Sequence, residues 1–511
     1  MQHLASSYLS FNGGRVLLFL LLFLLALYEL ATAGFSTFAI ICILPIIVLA
    51  VISVFQYRML TFWALIGLNY FIMWHGMRLP SGIPTSLYNE MLEIVLIALA
   101  IIDVKESKFE RLANVMFLAL IIWCAYCFIE ILNNTCNLGI NIAAWYQGVR
   151  LMAFQLMYAF IVFTLYITNT KILTKYLFIW GSLALLAVFT VWKQKYIGLS
   201  PEDNAWLHGP SGRQHLIQGG SLIRYWSIYS DAANFGVGIA STAVAFIIFG
   251  ITSRIKKHKY FFLITGFACT WAMFPSGTRT AMICLIAGFM VYIFLSKSFK
   301  VAIPFTIIFG LFVFVLAFTN IGQGNQQIRR MRSAFDKNDA STGAREINQA
   351  TMRKYMQEAP YGIGIGMSNV PANNKYNKLV SIPADSEYVY IWLRTGRIGI
   401  TIFIICTAIM IGGGCFIVLF KLNSPSLRGI GAGFCCAMIS QQLGGYGNQV
   451  LMQFPNCLTF YGGLAIVYIL PHIEKEWIEW ETKELALIEE KKRLKQEKRE
   501  KSRVKTWLTW K

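Results

Sequence analysis

The chain has 511 residues, 56% of them hydrophobic and 14% charged, with a formal net charge of +20. Soluble globular domains carry roughly 25% charged residues, so this composition excludes an ordinary soluble fold. The positive balance reads as membrane topology and not as a nucleic-acid surface, because Lys and Arg collect in the cytoplasmic loops of membrane proteins.

The apolar residues come in long runs, such as Leu17 to Leu27 and Ala39 to Val54. A helix needs about 20 apolar residues to cross the hydrocarbon core, and backbone groups in lipid must be satisfied internally. The expected fold is therefore an all-α polytopic membrane protein with about 12–14 transmembrane helices. Spans are predicted near 16–33, 36–55, 60–76, 86–103, 112–132, 148–169, 173–191, 233–252, 260–275, 281–296, 301–321, 398–420, 429–449 and 456–471. The first apolar run follows Arg15 and is long enough to span, so it reads as the first helix and not as a cleaved signal.

Orientation follows from the basic connections. Lys105, Lys108 and Arg111, Lys171 and Lys175, Arg254, Lys256, Lys257 and Lys259, and Lys297 with Lys300 all fall on one side when the helices are counted. That side is predicted to be the cytoplasm, with both termini in it and the bacterial inner membrane as the location. The organisation expected is a transmembrane domain over 1–470, a large, partly helical periplasmic loop over 322–387 within it, and a charged cytoplasmic tail helix over 471–511. The tail carries Glu489, Glu490, Lys491, Lys492 and Arg493 at spacings that stabilise an exposed helix.

Nine of the eleven cysteines lie inside apolar runs, and Cys136 and Cys457 fall near outer ends. This is the pattern of small buried apolar residues, not of a disulfide framework or a zinc site. His208 and His215 share a loop without a third ligand in sequence, so no metal and no cofactor is expected.

The outer segments run against the topological bias, because they are rich in arginine: Arg213, Arg224, Arg279, Arg345 and Arg353 among them. A guanidinium matches phosphate oxygens in bidentate fashion. An anionic ligand at the outer membrane face, such as a pyrophosphate anchored in a lipid, would account for them; snorkelling or pairing with nearby acids is the plainer reading of any single one. Asp385 and Glu387 precede Tyr388-Val389-Tyr390-Ile391-Trp392-Leu393, and a carboxylate there is placed to take a proton from a hydroxyl or to cap the helix. The segment 344–359 has Ala344, Ile347, Thr351, Met352, Tyr355 and Ala359 on one predicted helical face. It ends at Pro360-Tyr361-Gly362-Ile363-Gly364-Ile365-Gly366, read as a flexible turn and not as a dinucleotide fingerprint. Glu90, Glu93, Glu130 and Arg150 lie in or near spans, where ionisable residues are functional candidates. Gln441, Gln442, Asn448 and Gln449 make the span near 429–449 polar enough to face a cavity.

Four local patterns resemble the O-antigen ligase and polymerase superfamily, over roughly 200–450. They are Arg224 to Gly236 (its "R..gtf.dpn..g" segment, with Ala232 where proline is usual), Ser276-Gly277-Thr278-Arg279-Thr280-Ala281, Glu358 to Gly364, and Asp385-Ser386-Glu387-Tyr388 followed by Gly396-Arg397-Ile398-Gly399. The resemblance implies a metal-independent, inverting glycosyltransferase that moves a polyprenyl-pyrophosphate-linked glycan to a glycan or lipid A core acceptor. It implies catalytic roles for Asp385, Arg279 and Arg224, and substrate contacts from Arg213, Arg345, Arg353, Asp231 and Glu387. Ligases of the family have His where Asp385 stands and Asn where Ser386 stands, and an Asp there is more compatible with a polymerase. The alternative is a transporter or flippase of the same lipid-linked glycan, whose charges would line a cavity at mid-membrane depth.

Overall fold

The computed structural model describes residues 56–74, 86–209 except 138, 216–218, 222–297, 340–367 and 384–509, with single positions elsewhere. The chain divides into two compact units, Met1–Trp63 and Ala64–Lys511. The spans expected near 16–33, 36–55 and 301–321 lie wholly or largely outside the described residues.

The described residues form α1 (Arg58–Phe71), α2 (Ser86–Ile102), α3 (Val115–Ile129), α4 (Ile142–Tyr166), α5 (Thr170–Tyr196), the short α6 (Pro201–Leu207), a two-stranded ribbon of β1 (Ile217–Gln218) and β2 (Leu222–Ile223), α7 (Ala232–Thr252), α8 (Lys256–Ala272), α9 (Arg279–Leu295), α10 (Ala340–Met356), α11 (Glu387–Phe416), α12 (Pro425–Gly447) and α13 (Asn456–Thr509). Among the described residues, six helical segments are long and apolar enough to cross a membrane: Val115–Leu132, Ile142–Tyr166, Thr170–Tyr196, Ala232–Thr252, Glu387–Lys421 and Asn456–Glu497. The protein is an all-α, multi-pass membrane protein.

Helix α7 is the centre of the bundle, packed by α8, α9 and α12. Its sequence AANFGVGIASTAVAFIIFGIT is rich in small residues, which let neighbouring helices approach closely in a membrane. Gly238 shows why: a Cβ there would lie 2.2 Å from Asn456 Oδ1, so the start of α13 occupies that space. Helix α12 is also buried along nearly its whole length. Gln441 and Gln442 are therefore buried in the protein and not turned to lipid, with the Gln442 side chain accepting a bond from the Tyr388 hydroxyl at 2.9 Å. Helices α7, α9, α11 and α13 pack around α12.

The basic connections converge at one end of the bundle. There Arg111 donates to the Thr168 carbonyl, Arg254 lies 3.9 Å from Glu481, and Glu474 accepts the Asn423 and Ser424 amides. The expected tail helix is not a separate element. It continues α13 through Pro471, and Trp477 anchors it by donating to Ser426 Oγ at 2.9 Å.

At the opposite end, α11 is broken at Gly396, whose φ of 64° and ψ of −163° are not helical. The loop Pro360–Gly366 fills the break. The Ile363 amide donates to the Leu393 carbonyl at 2.9 Å, Gly364 to Arg394 at 3.0 Å, and Arg397 to Pro360 at 2.9 Å. This corrects the expectation of a flexible turn. The alternating glycines at Gly362, Gly364 and Gly366, all at positive φ, shape an ordered strap that satisfies backbone groups the broken helix leaves open. Helix α10 feeds into this strap and buries Met352, Met356 and Ala359, while Ile347, expected on the same face, is 68% exposed.

Candidate active site

The site is assembled where α7, α9, α11 and α13 begin and α12 ends. Asp231 caps α7, its Oδ1 accepting the Ala233 and Asn234 amides at 2.5 and 2.9 Å. A carboxylate at a helix N-terminus is favoured by the backbone dipole. Arg224 leaves the ribbon just before this cap. Its Nε donates to the Ser276 carbonyl at 3.2 Å and its Nη2 to Thr278 Oγ1 at 3.0 Å. These bonds fix the guanidinium against the turn that carries Arg279.

That turn is built by the sequence Ser276-Gly277-Thr278. Gly277 takes φ 58°, the left-handed region that glycine reaches without steric cost. Ser276 Oγ accepts the Thr278 amide at 3.2 Å, and Thr278 Oγ1 donates to the Ala232 carbonyl at 2.8 Å. Arg279 is consequently the first residue of α9, a helix start without a side-chain cap.

Arg345 reaches the same place from α10, donating from Nη2 to the Gly447 carbonyl at 2.9 Å. The next residue, Asn448, donates to Thr280 Oγ1 at 3.1 Å. Arg279 and Arg345 are thus near enough to Arg224 for their charges to act on it. Their mutual field is visible at Arg224: burial lowers its pKa from the usual arginine value, Asp231 opposes the shift, and Arg279 and Arg345 add to it.

Asp385 is exposed immediately before α11, beside the turn that follows α12. Gln449 donates to the Ala384 carbonyl, and Ser386 donates to the Gly445 carbonyl at 3.2 Å. These two bonds tie the Asp385 backbone to the residues that hold Arg345. Glu387, two residues on, is 2% exposed, and its Oε2 accepts the Leu451 amide at 3.0 Å. Its carboxylate is engaged within the protein. Arg353 is exposed on α10, away from the buried Met352 and Met356. Arg213 and His215 lie outside the described residues, and His208 is exposed. Arg224, Arg279, Arg345, Asp231 and Asp385 are therefore gathered at one end; Arg353 and Glu387 occupy other surroundings.

Ser230 and Asn234, which lie in the Arg224 to Gly236 pattern but carry no role there, brace the site. Asn234 donates to Ser230 Oγ and the Phe454 carbonyl, both at 2.8 Å, and accepts from Asn456. Ser230 donates to Gln453 Oε1 at 2.5 Å. An asparagine within an apolar helix, one turn after its cap, was the available signal.

A helical bundle of this length and apolarity, with arginines at its helix ends, defines a multi-pass membrane protein with a cluster of cations at one end. Residues 261–404 match the family model of O-antigen ligases, Wzy_C. This match supports membership of the O-antigen ligase and polymerase superfamily, a family of glycosyltransferase-type enzymes. The matched segment includes Arg279, Arg345, Arg353, Asp385 and Glu387, and begins after Arg224 and Asp231. No protein of curated function matches the chain.

Proposed function

We propose that the protein transfers a glycan from a polyprenyl-pyrophosphate donor to a sugar hydroxyl at the periplasmic face of the bacterial inner membrane, as an O-antigen or capsular polysaccharide polymerase or as a ligase. The observation that carries this reading is the gathering of Arg224, Arg279 and Arg345 around the α9 start and the α12 end. A lipid diphosphate emerging from the bilayer meets the protein at this depth, and a helix N-terminus adds backbone donors to the guanidiniums. The basic residues at the opposite end favour a cytoplasmic location for that end by the positive-inside bias, with both termini there.

In the reaction, an acceptor hydroxyl oxygen attacks the anomeric carbon and the bond from that carbon to the diphosphate oxygen breaks. The polyprenyl diphosphate departs with both bonding electrons, and the hydroxyl proton is released. Arg224 and Arg279 stabilise the charge that develops on the departing diphosphate. Charges fixed in place before the reaction lower a barrier more than most other devices an enzyme has. Arg345 binds the same group. Asp385, exposed and held by the Ala384 and Ser386 contacts, orients the acceptor hydroxyl and receives its proton. Direct displacement inverts the sugar carbon, and the residues named supply the chemistry without a metal. Asp231 acts through Arg224, whose positive charge it favours from the α7 cap. Placement of the cations at helix ends favours this reading over a flippase, whose charges would sit at the midplane.

The test is Arg279→Ala with membrane insertion verified. Loss of the surface polysaccharide ladder at normal protein level is expected. A full ladder would remove Arg279 from this role.

A further inference from the structure

Helix α2 puts Ser86, Asn89, Glu90 and Glu93 on one face, because residues three and four apart stack along a helix. All four are buried. Glu90 is fully engaged: its Oε2 lies 3.3 Å from Arg150 Nε, and its Oε1 accepts from the Tyr146 hydroxyl at 3.1 Å. Arg150 donates to Ser86 Oγ as well. One carboxylate and one guanidinium cancel, so this pair needs no further charge.

Glu93 is different. Gln155 Nε2 donates to its Oε1 at 2.7 Å, while its Oε2 is buried without a hydrogen-bond partner among the described residues. One turn earlier, Asn89 Oδ1 is also buried without one. Both residues are 0% exposed. The Asn89 amide is not free to turn over. Its Nδ2 donates to Asn69 Oδ1 at 3.3 Å, and Asn69 presents that oxygen because its own Nδ2 donates to the Pro455 carbonyl at 3.1 Å and to Thr459 Oγ1 at 3.3 Å. Two acceptor oxygens therefore stand one turn apart on one helix face with no hydrogen to share.

The titratable and charged groups around Glu93 are Glu90 on its own helix, Arg150, Tyr146 and Tyr158 on α4, and Cys457 on α13; α1 contributes the neutral Asn69. Arg150 is already paired with Glu90, and no second cation is among these groups. An ionised Glu93 would be an unpaired charge inside the bundle, which is costly. A proton on Glu93 Oε2 removes that charge, and Asn89 Oδ1, one turn away on the same helix face, offers it an acceptor.

We propose that Glu93 is a proton-binding site within the bundle, held as a neutral carboxylic acid whose O–H donates to Asn89 Oδ1. The bonded chain then runs from Gln155 through Glu93, Asn89 and Asn69 to Pro455, beside the Phe454 carbonyl that holds Asn234. The proton fastens α2 to the segment that braces the arginine site. Protonation of Glu93 does not depend on the glycan reading and is measured without any transfer reaction.

The test is infrared difference spectroscopy of the full chain in lipid nanodiscs at neutral pH. Wild type minus Glu93→Gln is expected to show the carbonyl stretch of a protonated carboxylic acid, lost in the variant. A carboxylate stretch in its place, or no carbonyl difference, overturns the proposal. Gln at this position repeats both bonds, donating to Asn89 and accepting from Gln155, so Glu93→Gln is expected to melt with the wild type and Glu93→Leu below it. Should Glu93→Gln not assemble, Asn89→Ala carries the test: the carbonyl band must move to higher frequency when its acceptor is gone, and an unmoved band refutes the bond. A melting midpoint that follows sodium concentration and ignores pH would put a metal ion in the site and also overturn it.

Discussion

Substituting Gly396 by alanine isolates the contact between the strap and the broken helix. At φ 64° and ψ −163° the position is accessible essentially to glycine alone, and a Cβ would stand 1.9 Å from the Pro360 carbonyl oxygen and 2.5 Å from the Gly362 amide nitrogen. Both obstacles are backbone, so no side-chain rotation relieves them. The strap must move away, and the bonds Ile363 to Leu393, Gly364 to Arg394 and Arg397 to Pro360 go with it. Backbone strain of about 1–3 kcal/mol and roughly 1 kcal/mol for each lost bond give a penalty of about 4–6 kcal/mol. The Tyr126 hydroxyl, which donates to the Thr395 carbonyl at 2.9 Å, and Asn133, which donates to the Tyr361 carbonyl at 2.9 Å, lose their partners' geometry too. Thermal melting followed by size-exclusion chromatography, together with limited proteolysis of the strap, reads this directly. Gly412→Ala is the control, because a Cβ there meets nothing within 4 Å in the second half of the same helix. If Gly396→Ala melts with the control and its strap resists protease equally, the docked strap is not what holds this end together.

Other substitutions separate the site from its support. Thr278→Val removes the acceptor for Arg224 and the donor to the Ala232 carbonyl; transfer activity is expected to fall by roughly 10-fold or more with insertion retained, measured in membranes carrying equal protein. Glu474→Ala removes the acceptor of the Asn423 and Ser424 amides, now bonded at 2.6 and 2.7 Å; a loss of about 1–3 kcal/mol for the buried Ser424 amide should appear as a lower melting midpoint while the arginine site is untouched. Reporter fusions should place residues 340–367 in the periplasm and the Lys256–Lys259 connection in the cytosol; the reverse result would put the arginines on the wrong face.

The helices were legible in the sequence because lipid leaves the backbone one solution, and apolar runs such as Ala232–Thr252 display it. The arginines stood out in the sequence as cations on connections away from the lysine-rich ones. Their convergence was not legible. It depends on Arg345 crossing to the Gly447 carbonyl, a contact 102 residues away in the chain. The strap was misread for a related reason. Gly362, Gly364 and Gly366 look permissive in isolation, and only the break at Gly396 makes their positive φ values a fitted surface. The polarity of α12 was legible in sequence, but the bond from Tyr388 to Gln442 depends on packing that composition does not reveal. The same holds for Glu93, whose orphan oxygen matters only once Asn89 is known to present another.

Binding of a polyprenyl diphosphate to the purified protein, compared with the corresponding monophosphate by native mass spectrometry, asks whether the gathered arginines hold the donor. A charge-assisted hydrogen bond is worth about 1.5–3 kcal/mol, so Arg224→Gln and Arg279→Gln should each weaken diphosphate binding by roughly 10- to 150-fold and narrow the preference over monophosphate. Diphosphate affinity left intact when both arginines are replaced together would exclude them as the donor site.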